Sequence, residues 1–184
     1  MAKTGYNPRG LIKILEKIQQ KLSISADITD KYLLTHPVSQ DRITYIELQA
    51  QFLYERGQIS ASAKKYREVL NMVGNSNLIR LKLAESLIHI KTAITNKEAI
   101  GQLKAILAME PRNTAAINKL GIAYGKKGDL ATSYLYLAES AIISKKLENS
   151  KFYLAKAEQL VDKQSADYSK LKRLKAEAIT LVEK

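Results

Sequence analysis

The sequence predicts an all-α protein in which antiparallel helix pairs stack one on another, with about nine helices in total. Three observations carry that expectation. Only three of the 184 residues are proline and eight glycine, and none is tryptophan, so helix formers dominate and breakers are scarce. Apolar residues recur at helical spacing through most of the chain. Residues 117 to 130 then compress a whole helix-turn-helix into one signature: Ile117, Leu120 and Tyr124 form an apolar stripe, and Gly121 lies on that stripe. A glycine there lets a neighbouring helix come close. Gly128 ends the helix, because a residue without Cβ adopts the left-handed conformation cheaply, and Asp129 can accept backbone N–H bonds at the start of the next helix.

Pro8 opens the first helical pattern, with Leu11, Ile12, Leu15, Ile18 and Leu22 on one face. Proline suits a first helical turn, where its missing N–H has no intrahelical partner anyway. From Ser23 to Gln40 the periodicity fails, and turn formers between Asp27 and Pro37 predict a loop or short turns. Ile43, Ile46, Leu48, Phe52 and Leu53 restore the period as far as Gly57. Ile59 to Met72 repeat it with Ala63, Tyr66, Val69 and Leu70 facing inward, which makes a helical hairpin. The next pair runs from about Asn77 to Ile90 and from Asn96 to Met109, packing through Leu83, Ala84, Leu87, Ala99, Leu103 and Ile106, and Pro111 closes the unit. Its turn, Lys91 to Thr95, is expected to be about three residues longer than usual. After Leu130 the packing positions recur at Leu137, Ala138, Ala141, Leu147, Leu154 and Ala157, about half a repeat further on. The helix from Leu130 to Ser144 is therefore expected to serve two neighbours. A last helix, about Asp167 to Val182, carries Leu171, Leu174, Ala178 and Leu181 among lysines, as a capping helix with one wet face would.

The spacing at 117 to 130 resembles the tetratricopeptide repeat (TPR) family, whose unit is about 34 residues. Gly57 as a turn glycine places Ile59, Ser62, Tyr66 and Val69 at the small and apolar positions of an earlier, degenerate repeat. The resemblance implies a TPR-like superhelix, an α-solenoid, that presents a concave face to a protein or peptide. Tyr124, Tyr134, Tyr136 and Tyr153 are the candidate protein-binding residues, since tyrosine combines an apolar ring with a polar tip.

Thirty Lys and Arg against 18 Asp and Glu give a net charge of +12, which suits an acidic partner, nucleic acid or an anionic membrane surface. The lysines are spread through every segment and do not alternate with aromatics in a nucleic-acid motif, so nucleic acid is not expected. With no cysteine the chain has neither disulfides nor thiolate metal sites. No apolar leader opens the sequence and no stretch reaches about 18 uninterrupted apolar residues. The expectation as written is a cytoplasmic chain without a transmembrane segment.

Chemistry is sparse. The two histidines, His36 and His89, have no second ligand at helical spacing, so neither metal nor cofactor is expected. There is no glycine-rich phosphate loop, no G-x-S-x-G elbow and no cysteine nucleophile. Asp27 and Asp30 read as turn and cap residues.

Two segments of the N-terminal third carry a further resemblance. Thr4-Gly5-Tyr6-Asn7-Pro8-Arg9-Gly10, followed by an amphipathic helix, and Tyr32-Leu33-Leu34-Thr35-His36-Pro37-Val38-Ser39-Gln40-Asp41-Arg42-Ile43 resemble the end of the catalytic domain in BepA-like bacterial zinc metallopeptidases. Members of that family continue into a TPR tail and act in the bacterial envelope. The resemblance divides the chain into a vestigial peptidase segment, residues 1–42, and a helical-repeat domain, residues 43–184. It also implies that His36 lies where a histidine sits near the zinc, and Arg42 where an arginine lines the active site. The departure from the family is the zinc site itself: the H-E-x-x-H helix and glutamate ligand should precede Gly5, and only four residues do. Without two histidines and a glutamate, zinc lacks its open three-ligand geometry. The chain by itself is therefore not expected to be an enzyme.

Three functions follow as expectations. The leading one is a non-catalytic TPR scaffold for protein partners. A second is the C-terminal half of a split peptidase that needs a separately encoded H-E-x-x-H chain. A third is a basic surface for anionic lipid or nucleic acid.

Overall fold

The computed structural model describes residues 40–182. These form eight helices and no strand: α1 (Gln40–Glu55), α2 (Ile59–Val73), α3 (Asn77–Ile90), α4 (Ala93–Met109), α5 (Thr114–Lys127), α6 (Leu130–Ile143), α7 (Leu147–Leu160) and α8 (Ala166–Val182). The helix expected over residues 8–22 and the loop that carries His36 lie outside the described residues. So does all but the end of the segment 1–42, and α1 runs unbroken through 42 and 43.

Consecutive helices pack side by side, and the short connections between them make each pair antiparallel. Between Ile46 and Ala123 the facing stripes of α1 to α5 fuse into one core, with Val69, Leu83, Leu87, Leu103, Ile106 and Leu120 fully buried. Burying a side chain of this size contributes roughly 1.5–3 kcal/mol. No single pair can enclose its stripe alone, so the stack is the folding unit. Polar bonds between alternate helices reveal the repeat directly. Lys82 on α3 reaches Glu47 on α1, 35 residues away, and Lys119 on α5 reaches Glu85 on α3. Arg67 on α2 grips Glu98 on α4 through two bonds of 2.7 and 2.8 Å, 31 residues apart. The odd helices α1, α3 and α5 thus form one row, while α2 and α4 lie in another.

At α6 the arrangement changes phase. This helix packs on α5 and α7 and also touches α8, and Leu135, Ala138 and Ile142 lead into a second core with Leu154, Ala157, Leu171 and Leu174. Two neighbours were expected, and the helix has three. Glu139 on α6 accepts both Lys170 (2.7 Å) and Arg173 (3.2 Å) from α8.

The connection between α3 and α4 differs from the sequence expectation. It contains only Lys91 and Thr92, not a lengthened turn through Thr95, and α4 begins at Ala93. Lys91 takes the left-handed conformation at φ 63°, and the Thr92 hydroxyl accepts the Thr95 N–H at 3.1 Å. The cap starts the helix early, so the extra residues lengthen α4 to 17, against 14 in α3. Ile94, left 82% exposed in that added turn, breaks the apolar period that would have signalled helix.

Candidate functional site

The α5–α6 turn places the first component of the site. Gly128 takes φ +88°, and its N–H donates back to Gly125 O at 3.0 Å. Asp129 then accepts the Thr132 N–H at 3.2 Å, so the chain reverses within two residues. The reversal lays Tyr136 of α6 flat on Tyr124 of α5, with ring centroids 5.5 Å apart and planes 10° from parallel. Lys170 of α8 caps the pair, its ammonium 3.5 Å from the Tyr136 ring centre. Burial pushes the Tyr136 hydroxyl up to about 12, with the charges of Tyr124, Glu139 and Asp167 adding to the shift.

In front of Tyr124 lies a groove of about 660 Å³, bounded by the α3–α4 turn, α4 from Ala93 to Lys104 and the C-terminal end of α5. Its apolar walls are Ala93, Ile100 and the Tyr124 ring, and its rim carries Lys91, Lys97, Lys104, Lys126 and Lys127. Among the described residues no carboxylate lines it. Lys126 is held by a bond of 2.7 Å to the Ile88 carbonyl. Lys104 and Lys127 stand 5.9 and 5.7 Å from the Tyr124 ring centre. Asn96, 6% exposed, anchors the wall: its Nδ2 donates to the Ala123 carbonyl at 2.9 Å. Its Oδ1 is closed off and accepts no hydrogen bond among the described residues.

The four tyrosines singled out from the sequence divide into two pairs. Tyr124 lines the groove, and Tyr136 stands stacked against it. Tyr134 and Tyr153 stack on one another at 6.3 Å, packed against the second core. Arg42 is half-buried in the first turn of α1, while His36 lies outside the described residues. His89, on the exposed side of α3, bonds through Nδ1 to the Tyr54 hydroxyl at 3.0 Å and to the Glu85 carbonyl at 2.9 Å. Among the described residues no group of three His, Cys, Asp or Glu side chains could hold a metal ion, and no helix is long and apolar enough to cross a membrane. Sequence reasoning missed the lysine rim and Asn96, because their positions in the α3–α4 turn, on α4 and at the end of α5 carry no motif.

No known protein family and no curated protein matches the chain. Among solved structures it resembles "MamA RS-1 ArsTM double mutant", with a TM-score of 0.59 at 14% identity over 94% of this chain and 95% of that one. It also resembles "MamA 41-end from Desulfovibrio magneticus RS-1", with a TM-score of 0.58 at 15% identity over 94% and 96%. At these identities the likeness is one of fold, a TPR-like helical repeat. Nothing in these comparisons supports descent from a zinc metallopeptidase.

Proposed function

We propose that the chain is a non-catalytic scaffold of TPR type that binds protein partners in extended form. The observation that carries this reading is the groove beside Tyr124, an apolar-walled cleft with a lysine rim on a stack of paired helices. Clefts with apolar walls and a few placed polar groups are the usual form of a binding site. Stacked helical repeats supply extended surfaces of this kind without supplying catalytic chemistry. Tyr124 and Tyr136 belong to that site. For Tyr134 and Tyr153 packing in the second core is the better account.

The finer reading, derivation from the C-terminal region of a peptidase or work as its split half, rests on the sequence segments around Gly5 and His36 alone. A separately encoded H-E-x-x-H chain that co-purifies with this one and yields a zinc-dependent protease would establish it.

The scaffold reading is tested by chemical cross-linking of the full-length chain to partners captured at low salt, with the cross-links mapped by mass spectrometry. Cross-links concentrated on α4 and α5 are expected. Absence of any captured partner at low salt would overturn the reading.

A further inference from the structure

We propose that the open groove along α7 and α8 is a homodimer interface, in which a second copy of this chain packs its α7 antiparallel to the first about a two-fold axis. The surface is separate from the groove beside Tyr124, and the proposal stands or falls independently of the scaffold reading.

Helices in a stack bury their apolar stripes against the next helix along. α7 and α8 pack on α6 and on each other, and their other side stays open among the described residues. A groove of about 370 Å³ runs there, walled by Leu147, Ala155, Ala178 and Ile179. Ile179 is 59% exposed, whereas the outer face of a capping unit is normally polar. Covering such a strip is favourable in proportion to the apolar area removed from water.

Charge along α7 identifies the occupant. Lys151 and Glu158 both line the groove, and seven residues of helix, about two turns, place them on one face. Their midpoint falls between Leu154 and Ala155. Where two antiparallel copies of α7 meet at that midpoint, Lys151 of each faces Glu158 of the other, and two identical ion pairs form. An isologous interface demands this self-complementarity, since residue i meeting j requires that j meet i. Ala155, beside the axis, offers little bulk, so the helices can approach to about 8–10 Å. Both charges are open to a second partner. Lys151 bonds Glu148 and Glu158 bonds Lys175, yet the Lys151 and Glu158 side chains remain 55% and 57% exposed. In the dimer each Glu158 lies between its own Lys175 and Lys151 of the partner copy. The apolar walls supply affinity and the paired charges fix the antiparallel register.

The test is sedimentation of the full-length chain from about 1 to 200 μM, where a monomer–dimer equilibrium is expected. Lys151→Glu alone sets Glu against Glu across the axis, and Glu158→Lys alone sets Lys against Lys. Each substitution acts twice, so each variant is expected to dimerise at least about tenfold more weakly than the parent. Mixed one to one, the two variants regain both opposite-charge contacts and are expected to form a heterodimer of near-parental affinity. Circular dichroism establishes that both variants are folded. A parent that stays monomeric throughout would overturn the proposal, and would leave the groove to another segment of the chain or to a different protein. Single variants that dimerise like the parent, or a mixture no tighter than its components, would overturn it as well. So would growth into open-ended assemblies, the mark of head-to-tail contact.

Discussion

The Ser133 hydroxyl donates to the Gly121 carbonyl at 2.7 Å, joining the second turn of α6 to the middle of α5 in the buried interior. That bond requires near contact of the two backbones, and Gly121 permits it. A Cβ at this position would stand 2.9 Å from Leu137 Cγ and 3.1 Å from the Ser133 carbonyl oxygen. The side chain of Leu137 can shift, but the Ser133 backbone cannot move without the helix.

Gly121→Val is therefore expected to lower stability by about 1–3 kcal/mol through overpacking. Gly101→Ala in α4, where a Cβ meets nothing within 4 Å, is expected to raise it by up to about 1 kcal/mol through helix propensity. Thermal unfolding of the two variants beside the parent should show melting temperatures moving in opposite directions. A neutral Gly121→Val would remove the close-approach argument.

Asp129→Ala should cost about 1 kcal/mol, because the Thr132 N–H loses the carboxylate that caps α6. The effect belongs to the turn, so amide exchange should rise first at the N-terminal end of α6. Chemical denaturation with hydrogen exchange at residues 130 to 133 measures both.

Stability should depend on pH at the alkaline end through Tyr136. Its folded pKa of about 12 stands above the usual 10.0, so the native state holds this proton after the unfolded chain has released it. The contribution is complete below pH 10, and stability falls as pH rises from 10 towards 12. Spectroscopic titration should show a late-ionising tyrosine that Tyr136→Phe abolishes. Tyr66 on α2, pushed up chiefly by burial, should remain late in that variant. Loss of no late component on Tyr136→Phe would contradict the half-buried stack.

Much of the architecture was legible in the residues. Ile117, Leu120, Gly121, Gly128 and Asp129 each have a local duty, stripe, close approach, stop or cap, and local duties are written in local spacing. The boundary of α4 was not, since its start depends on the Thr92 cap and its added turn carries an exposed isoleucine. The pairing of Tyr124 with Tyr136 was half legible. Both were singled out, but a tyrosine at helical spacing looks the same whether it meets solvent, core or another ring.

By itself, then, the sequence determined an all-α stack of antiparallel pairs, the turn at Gly128 and the close contact at Gly121, because helical period and backbone conformation act within a few residues. The half-repeat shift after Leu130 was legible too, but tertiary structure alone decided that Lys91, Lys97, Lys104 and Lys127 would border one cleft beside Asn96. Those lysines are spaced along the chain like an ordinary solvated face. Only the packing of α4 against α5 brings them together, since convergence of charge is a property of surfaces that meet in space.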